Sequence, residues 1–412
     1  MKKILILGAS VYQVPLIQTA KRLGLYTIVA SIPGEYPGFA LADKVYYINT
    51  IDKEAILQAA LEEQIDGICT TGTDVAVATI GYVCERMGLA GVSEAAAVRA
   101  TDKAEMKKAF QAHQVAASRF RIVRSLEEVY AAAEEIGLPV VVKRVDSSGS
   151  RGITIVREKE GLAQAFEDAL SRSAKDYALV EEMLKGTEIG VDGVVQGGRL
   201  IFLAPHEKFV YRSEKITIPA GHGFPYRGTQ KVQEEIKVQM QRAVEALGLD
   251  NCSVNADVFV DGDRVYMIEL GGRTGATCIP ELISMYYGFD FYETILQNAL
   301  GEPLDLGHTQ ADSDEEASAQ LTPCMAKLLM SPVNGTITKI EEKRLAELRR
   351  DGIQIALDFP VGHPVEAMEN GTTRIGHVVT KAESVEALDE MVSRVYSCIE
   401  VDGTSLEELW KK

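Results

Sequence analysis

The sequence predicts a mixed α/β and α+β chain, with an N-terminal parallel-sheet domain, a larger central α+β domain and a compact C-terminal α+β module. Three observations predict it. Short apolar runs alternate with helical patterns near the N-terminus. Further on, apolar strands are joined by turn signals such as Asp261-Gly262. A small, polar and acidic stretch, Thr309–Gln320 (TQADSDEEASAQ), then separates the central region from a tail of short strands. At 412 residues the chain is too long for one ordinary core and calls for two or three domains.

The elements follow in order. Lys3–Leu7 reads as a buried strand, Pro15–Leu23 as a helix and Tyr26–Ala30 as a second strand. Glu54–Glu63 is helical, and Gly67–Thr71 is a strand entering the turn Gly72-Thr73-Asp74. Strands separated by helices need crossovers, which makes the sheet parallel. A dinucleotide-binding unit of this topology is disfavoured twice over. Gly8-Ala9-Ser10 lacks the remaining glycines of G-x-G-x-x-G, and the second strand ends at Ser31 without an acidic residue for a ribose. After a helix at Lys103–Ala112, a second domain begins near residue 116, with a helix at Leu126–Ile136 and a strand at Pro139–Lys143. That strand runs into a turn-rich loop at residues 146–152, followed by a helix at Gly161–Ser171 and a strand at Ala178–Glu182. In the tail, strands near 322–330, 334–340, 353–358 and 373–380 precede a helix at Ser384–Tyr396. The expected domains are 1–115, 116–308 with a small subdomain at about 118–182, and 321–412.

Composition narrows the function classes. Apolar residues make up 46% and charged residues 25%, the balance of a globular chain. Lys plus Arg number 43 against 60 Asp plus Glu, a net charge of -17, which argues against nucleic acid or an anionic membrane as the main partner. A phosphate ligand in a local basic pocket remains compatible with it. The six cysteines are scattered without a C-x-x-C pair, as in reduced thiols of a cytoplasmic protein. No apolar run approaches the roughly 20 residues that span a bilayer, and the apolar start Met1–Leu7 stops at Gly8. A cytoplasmic location is expected.

Three constellations carry chemistry. The first is Val140-Val-Val-Lys143 followed by Ser147-Ser-Gly-Ser-Arg-Gly152. A lysine at a strand end can reach an anion, and a small-residue loop can present backbone N–H groups and hydroxyls to phosphate oxygens. Taken alone, it reads equally as a hairpin tip beside a surface lysine. The second is Glu181-Glu-Met-Leu-Lys-Gly-Thr-Glu188, an apolar strand running into carboxylates. It can offer backbone groups to a base and carboxylate oxygens to hydroxyls, or be a plain acidic strand-to-turn junction. The third is Asn255-Ala-Asp257, the Asp261-Gly262 turn, and Glu269-Leu-Gly-Gly-Arg273. The hairpin brings residues 257 and 269 near each other, and two carboxylates paired among apolar neighbours usually bind a metal or share a proton. Arg273, after a Gly-Gly turn, can stabilise a developing oxyanion.

In this order and with these gaps, the constellations resemble the ATP-grasp superfamily, which includes biotin carboxylase, carbamoyl phosphate synthetase, D-alanine–D-alanine ligase and L-amino-acid ligases. The resemblance covers nearly the whole chain, from the N-terminal α/β domain through Thr101-Asp-Lys103 to Arg374-Ile-Gly376 in the tail. It implies a pre-ATP-grasp domain, an ATP-grasp domain with a lid subdomain, and a C-terminal module. It further implies that Lys103 and Lys143 touch the nucleotide phosphates, and that the loop with Ser148, Gly149, Ser150 and Gly152 closes over them. Glu181, Glu182, Met183 and Leu184 would form the adenine hinge, and Glu188 would hold the ribose. Asp257 and Glu269 would bind Mg2+, or Mn2+ in its place, while Arg273 and Lys143 would serve the chemistry.

Two positions depart from the family pattern. Most relatives have Asn two residues after the second carboxylate, where this chain has Gly271, so one metal ion would have fewer protein ligands. Arg144 follows Lys143 where proline is common. The run Gly221-His-Gly-Phe-Pro225 is similar to a substrate-side stretch of L-amino-acid ligases, though a surface loop with a buried histidine accounts for it nearly as well. The resemblance therefore implies ATP-dependent activation of a small carboxylate as an acyl phosphate and its coupling to an amine, with ADP and phosphate released. Carboxyphosphate chemistry on bicarbonate and ATP binding without turnover are the alternatives, and a homodimer is left open.

Overall fold

The computed structural model describes residues 1–147, 152–212, 217–306, 321–368 and 373–411. The chain divides into two compact units. One contains Met1–Ala204, Gly228–Ala276 and a segment from Asp290; the other contains Pro205–Arg227, Thr277–Phe289 and the C-terminal residues.

The first unit opens with β1 (Lys3–Leu7), β2 (Tyr26–Ser31), β3 (Lys44–Tyr47) and β4 (Gly67–Cys69), in the order β3-β2-β1-β4. All the pairings in this sheet are parallel, as predicted. Crossovers run through α1 (Val14–Arg22) and α2 (Lys53–Glu63), and Ile4, Leu5, Ile6 and Leu7 are fully buried. Cover on both faces of the sheet explains why β1 reads as a continuous apolar run rather than an alternation. Strand β3 escaped prediction because its Lys-Val-Tyr-Tyr is a short, half-exposed edge. Helices α3 (Val77–Met87) and α4 (Glu94–Thr101) follow, and α3 starts without any side-chain cap to mark it.

Helix α5 (Lys103–Ala112) leads into an antiparallel sheet of β5 (Phe120–Val123), β6 (Val140–Arg144), β7 (Ile153–Val156) and β8 (Ala178–Glu182), ordered β5-β8-β6-β7. Helices α6 (Leu126–Ile136) and α7 (Leu162–Leu170) pack on it around Val129, Val140, Val142, Phe166 and Val180. Next come β9 (Thr187–Gln196) and the start of β10 (Arg199–Arg212), which runs on into the second unit. Strands β12 (Cys252–Asp261) and β13 (Arg264–Gly271) complete the site sheet in the order β13-β12-β9. Helix α8 (Gln230–Leu247) packs against β13 and α5.

In the second unit β11 (Thr217–Phe224) is extended in turn by strands Cys324–Leu329, Gly376–Lys381 and Gln354–Leu357. Helix Val385–Tyr396 covers a core of Leu329, Ile337, Val378, Leu388 and Val395. The unpredicted helix Glu342–Arg350 (EKRLAELRR) buries only Leu345 and Leu348, too few apolar positions to show a stripe. The expected linker Thr309–Gln320 lies outside the described residues. Among the described residues no helix is long and apolar enough to cross a membrane.

Candidate active site

The Thr101-Asp-Lys103 motif is the start of α5. Asp102 caps the helix by accepting from the N–H groups of Ala104 and Glu105, and it also accepts from the Tyr177 hydroxyl at 2.6 Å. The cap fixes where Lys103 leaves the helix. Its Nζ donates to the Ser147 carbonyl at 2.6 Å and lies 3.1 Å from a Glu269 oxygen. Burial alone would depress the Lys103 ammonium, but Glu269 and then Asp74 outweigh it and raise its pKa.

Lys143 sits near the end of β6, which pairs antiparallel with β7. The Gly152 carbonyl accepts from Arg144 N–H at 2.8 Å and its φ is +69°, a conformation glycine adopts without strain. The expected phosphate contacts Ser148, Gly149 and Ser150 lie outside the described residues.

Glu181 is 2% exposed and one of its oxygens is shared three ways. It accepts from Ser118 Oγ at 2.7 Å and from Lys143 Nζ at 3.1 Å, and lies 3.4 Å from Lys107 Nζ. The other oxygen, Oε1, is buried without a partner among the described residues. Burial pushes the carboxyl up, yet Lys107 and Lys143 overcome it and bring it down to about 2. One carboxylate serving two ammoniums leaves the deeper Lys107 short of counter-charge, and burial lowers its pKa. Glu182 turns outward to Arg119 at 3.1 Å. Met183 and Leu184 follow the end of β8, where the ladder stops, and Glu188 lies on β9.

The carboxylate pair depends on a bulge. From the two-residue turn Gly262-Asp263, the ladder runs Asp261↔Arg264 to Val258↔Met267. Continued unbroken, it would set Asp257 against Ile268 and send Glu269 to the opposite face. The register instead shifts between Asp257 and Val258, Ile268 is the extra residue, and Asp257 stands directly opposite Glu269. Gly190 of β9 faces Asp257 on its other side and brings no side chain. Glu188, Asp192, Asn255, Asp257, Glu269 and Gly271 thereby share one sheet face.

Arg273 closes this face. Its Nη1 donates to Asn255 Oδ1 at 3.0 Å and to the Thr274 carbonyl at 3.1 Å, and its Nη2 donates to Asp74 Oδ2 at 2.6 Å. Asn255 Nδ2 in turn donates to the fully buried Asp192 at 2.7 Å, which also accepts from Thr274 Oγ1 and Gly275 N–H. A pocket is lined by Asp74, Lys103, Ser147, Asn255, Glu269 and Arg273, among others. Asp74, Lys107 and Asp192 are absent from the sequence-derived candidates, and Asn255 was named there without a role of its own. Signals existed for three: Asn255 is two residues from Asp257 on a period-two strand, Lys107 is one helical turn from Lys103, and Asp74 follows a parallel strand's C-terminal end. Nothing local marked Asp192.

The donor set suits a hard divalent cation. Asp257 and Glu269 offer oxygen ligands from adjacent strands, and Mg2+ is commonly held by one or two carboxylates with phosphate and water completing its shell. No cluster of three or more His, Cys, Asp or Glu able to hold a metal occurs among the described residues. In the second unit, His206 and His222 are buried, their rings edge to face at 4.7 Å.

A sequence model of the ATP-grasp domain matches residues 136–281. The chain is 30% identical over 219 residues to D-alanine–D-alanine ligase of Trichlorobacter lovleyi, covering 52% of this chain and 69% of the relative. It is 27% identical over 362 residues to alanine–anticapsin ligase of Bacillus subtilis, covering 79% and 72%. The crystal structure of phosphoribosylglycinamide synthetase from Anaerococcus prevotii superposes with a TM-score of 0.78 at 29% identity, covering 97% of this chain and 99% of that one. With the family model and a relative at this level of identity, the chain belongs to the ATP-grasp family.

Proposed function

We propose that the protein is a cytoplasmic ligase that uses ATP with Mg2+ or Mn2+ to activate a small carboxylate as an acyl phosphate and couples it to an amine, releasing ADP and phosphate. One observation carries this: two lysines, an opposed carboxylate pair and a clamped arginine all belong to one compact unit. Lys143 and Lys103 would bind the phosphates, and residues 147–152 would cover them and exclude water. The end of β8, with Glu181 to Leu184, would receive the adenine and Glu188 the ribose. Glu181 Oε1, buried and unpartnered among the described residues, supports that assignment. Asp257 and Glu269 would hold the cation, which when bound neutralises charge on the transferring phosphoryl group. Arg273 would orient the acceptor carboxylate and stabilise the oxyanion that forms when the amine attacks. Two of the relatives above are named for ligating alanine, which favours an amine acceptor. Release of nucleotide product across a panel of acids, each with and without a panel of amines, tests the proposal. ADP and phosphate dependent on an acid–amine pair are expected, whereas AMP and pyrophosphate overturn it.

A further inference from the structure

Gly271 faces Asn255 across the β12–β13 hairpin, and its surroundings show what takes up the space beside it. We infer that Asp74 is the positioning residue of Arg273 and that it occupies the room a side chain at 271 would fill. A Cβ built on Gly271 would lie 3.1 Å from Asp74 Oδ1, with Arg273 Cζ at 4.0 Å. Gly271 is not among the glycines with positive φ, so its backbone does not require glycine, and a side chain there would need Asp74 to give by a few tenths of an ångström. Asp74 Oδ2 accepts from Arg273 Nη2 at 2.6 Å, in a setting where the two side chains are 25% and 13% exposed.

Asp74 is itself held firmly. Its carbonyl accepts from Val77 N–H at the start of α3, and Gly72 N–H of the same turn donates to the Thr274 carbonyl at 3.3 Å. The turn after β4 therefore reaches the residue next to Arg273, and the guanidinium is clamped on one side by Asp74 and on the other by Asn255 and the Thr274 carbonyl. A charge-assisted hydrogen bond in such a half-buried setting fixes orientation as well as energy. Asp74 acts through Arg273, so the inference rests on the proposed role of that arginine.

Five variants and one spectrum test it. Asp74→Asn keeps the shape and removes the charge, so kcat should fall by about 10- to 100-fold while KM for ATP moves less than about 2-fold. Gly271→Asn should act in the same direction by displacing Asp74. In an Asp74→Ala background, where the space is vacated, Gly271→Asn should add no further loss. Losses that multiply across this cycle overturn the inference, as does an Asp74→Asn enzyme with wild-type kcat. A readout without substrate separates this from the proposed function. In protein carrying 15N-labelled arginine, the Nε signal lost in Arg273→Lys should shift in both Asp74→Asn and Gly271→Asn. An unshifted signal overturns the placement even if the enzyme is a ligase. A wild type that releases no ADP with any acid–amine pair overturns the proposed function while the spectrum still decides the placement.

Discussion

The base of the site and its mouth are both built from ion pairs, but on opposite principles. At the base, Lys107 and Glu181 are 1% and 2% exposed and Lys143 is 10% exposed, so two ammoniums share one carboxylate almost out of water. The excess positive charge is held in place, where the proposed nucleotide phosphates would balance it through Lys143. At the mouth, Asp74, Arg273, Lys103 and Glu269 alternate in sign, with side-chain exposures from 13% to 36%. Desolvation dominates the base, so removing a partner there leaves an uncompensated charge. Water shares the load at the mouth, so its pairs could exchange partners with the proposed cation and carboxylate. The difference separates a preformed electrostatic floor from a rim able to rearrange.

The largest effect is expected where the floor is broken. Glu181→Gln leaves two buried ammoniums facing a neutral amide, and should lower folding stability by about 3–5 kcal/mol in chemical denaturation. Because its carboxyl is depressed from 4.5 to about 2, the stability it contributes is complete above about 4.5 and is lost as pH falls toward about 2. Acid unfolding of wild type against Glu181→Gln should therefore converge in that window. Next, Lys143→Met removes the charge nearest the proposed phosphates while Lys107 still pairs Glu181, so folding should hold. Turnover at saturating ATP should drop by about 10²- to 10³-fold, and a variant keeping more than half of wild-type turnover would show that Lys143 does not contact the transferring group.

At the rim, Glu269→Gln should raise the Mg2+ concentration for half-maximal rate on the order of 10-fold or more, with metal-free nucleotide affinity unchanged. A wild-type titration would remove Asp257 and Glu269 from the metal assignment. The smallest change belongs to Glu182, whose side chain pairs with Arg119 outside the cluster. Glu182→Ala should alter stability by less than about 1 kcal/mol and nucleotide affinity by less than about 2-fold. A large loss of affinity would mean that the Glu182 carboxylate itself meets the nucleotide.

Much of this was legible because the informative residues act locally. The β1 run Ile4–Leu7 declared a doubly covered parallel strand, and Asp261-Gly262 declared the hairpin that carries Asp257 and Glu269. What escaped depends on tertiary packing. Counting from the turn alone places Asp257 opposite Ile268, and only the bulge brings Glu269 onto the same face. Glu181 was expected only as part of the adenine hinge, and its burial beside Lys107 and Lys143 shows only in the folded chain. Asp74 and Gly271 lie far apart in sequence, and the close approach between them exists only in the folded chain.

The central claim is that a carboxylate oxygen attacks the γ-phosphorus and leaves with phosphate once the amine displaces it. With the acid identified by the panel and labelled with 18O in its carboxylate, mass spectrometry of the products reads this transfer directly. The account predicts one 18O in each released phosphate, one 18O retained in the amide, and none in ADP. Label appearing in AMP, or phosphate released without label, would contradict it.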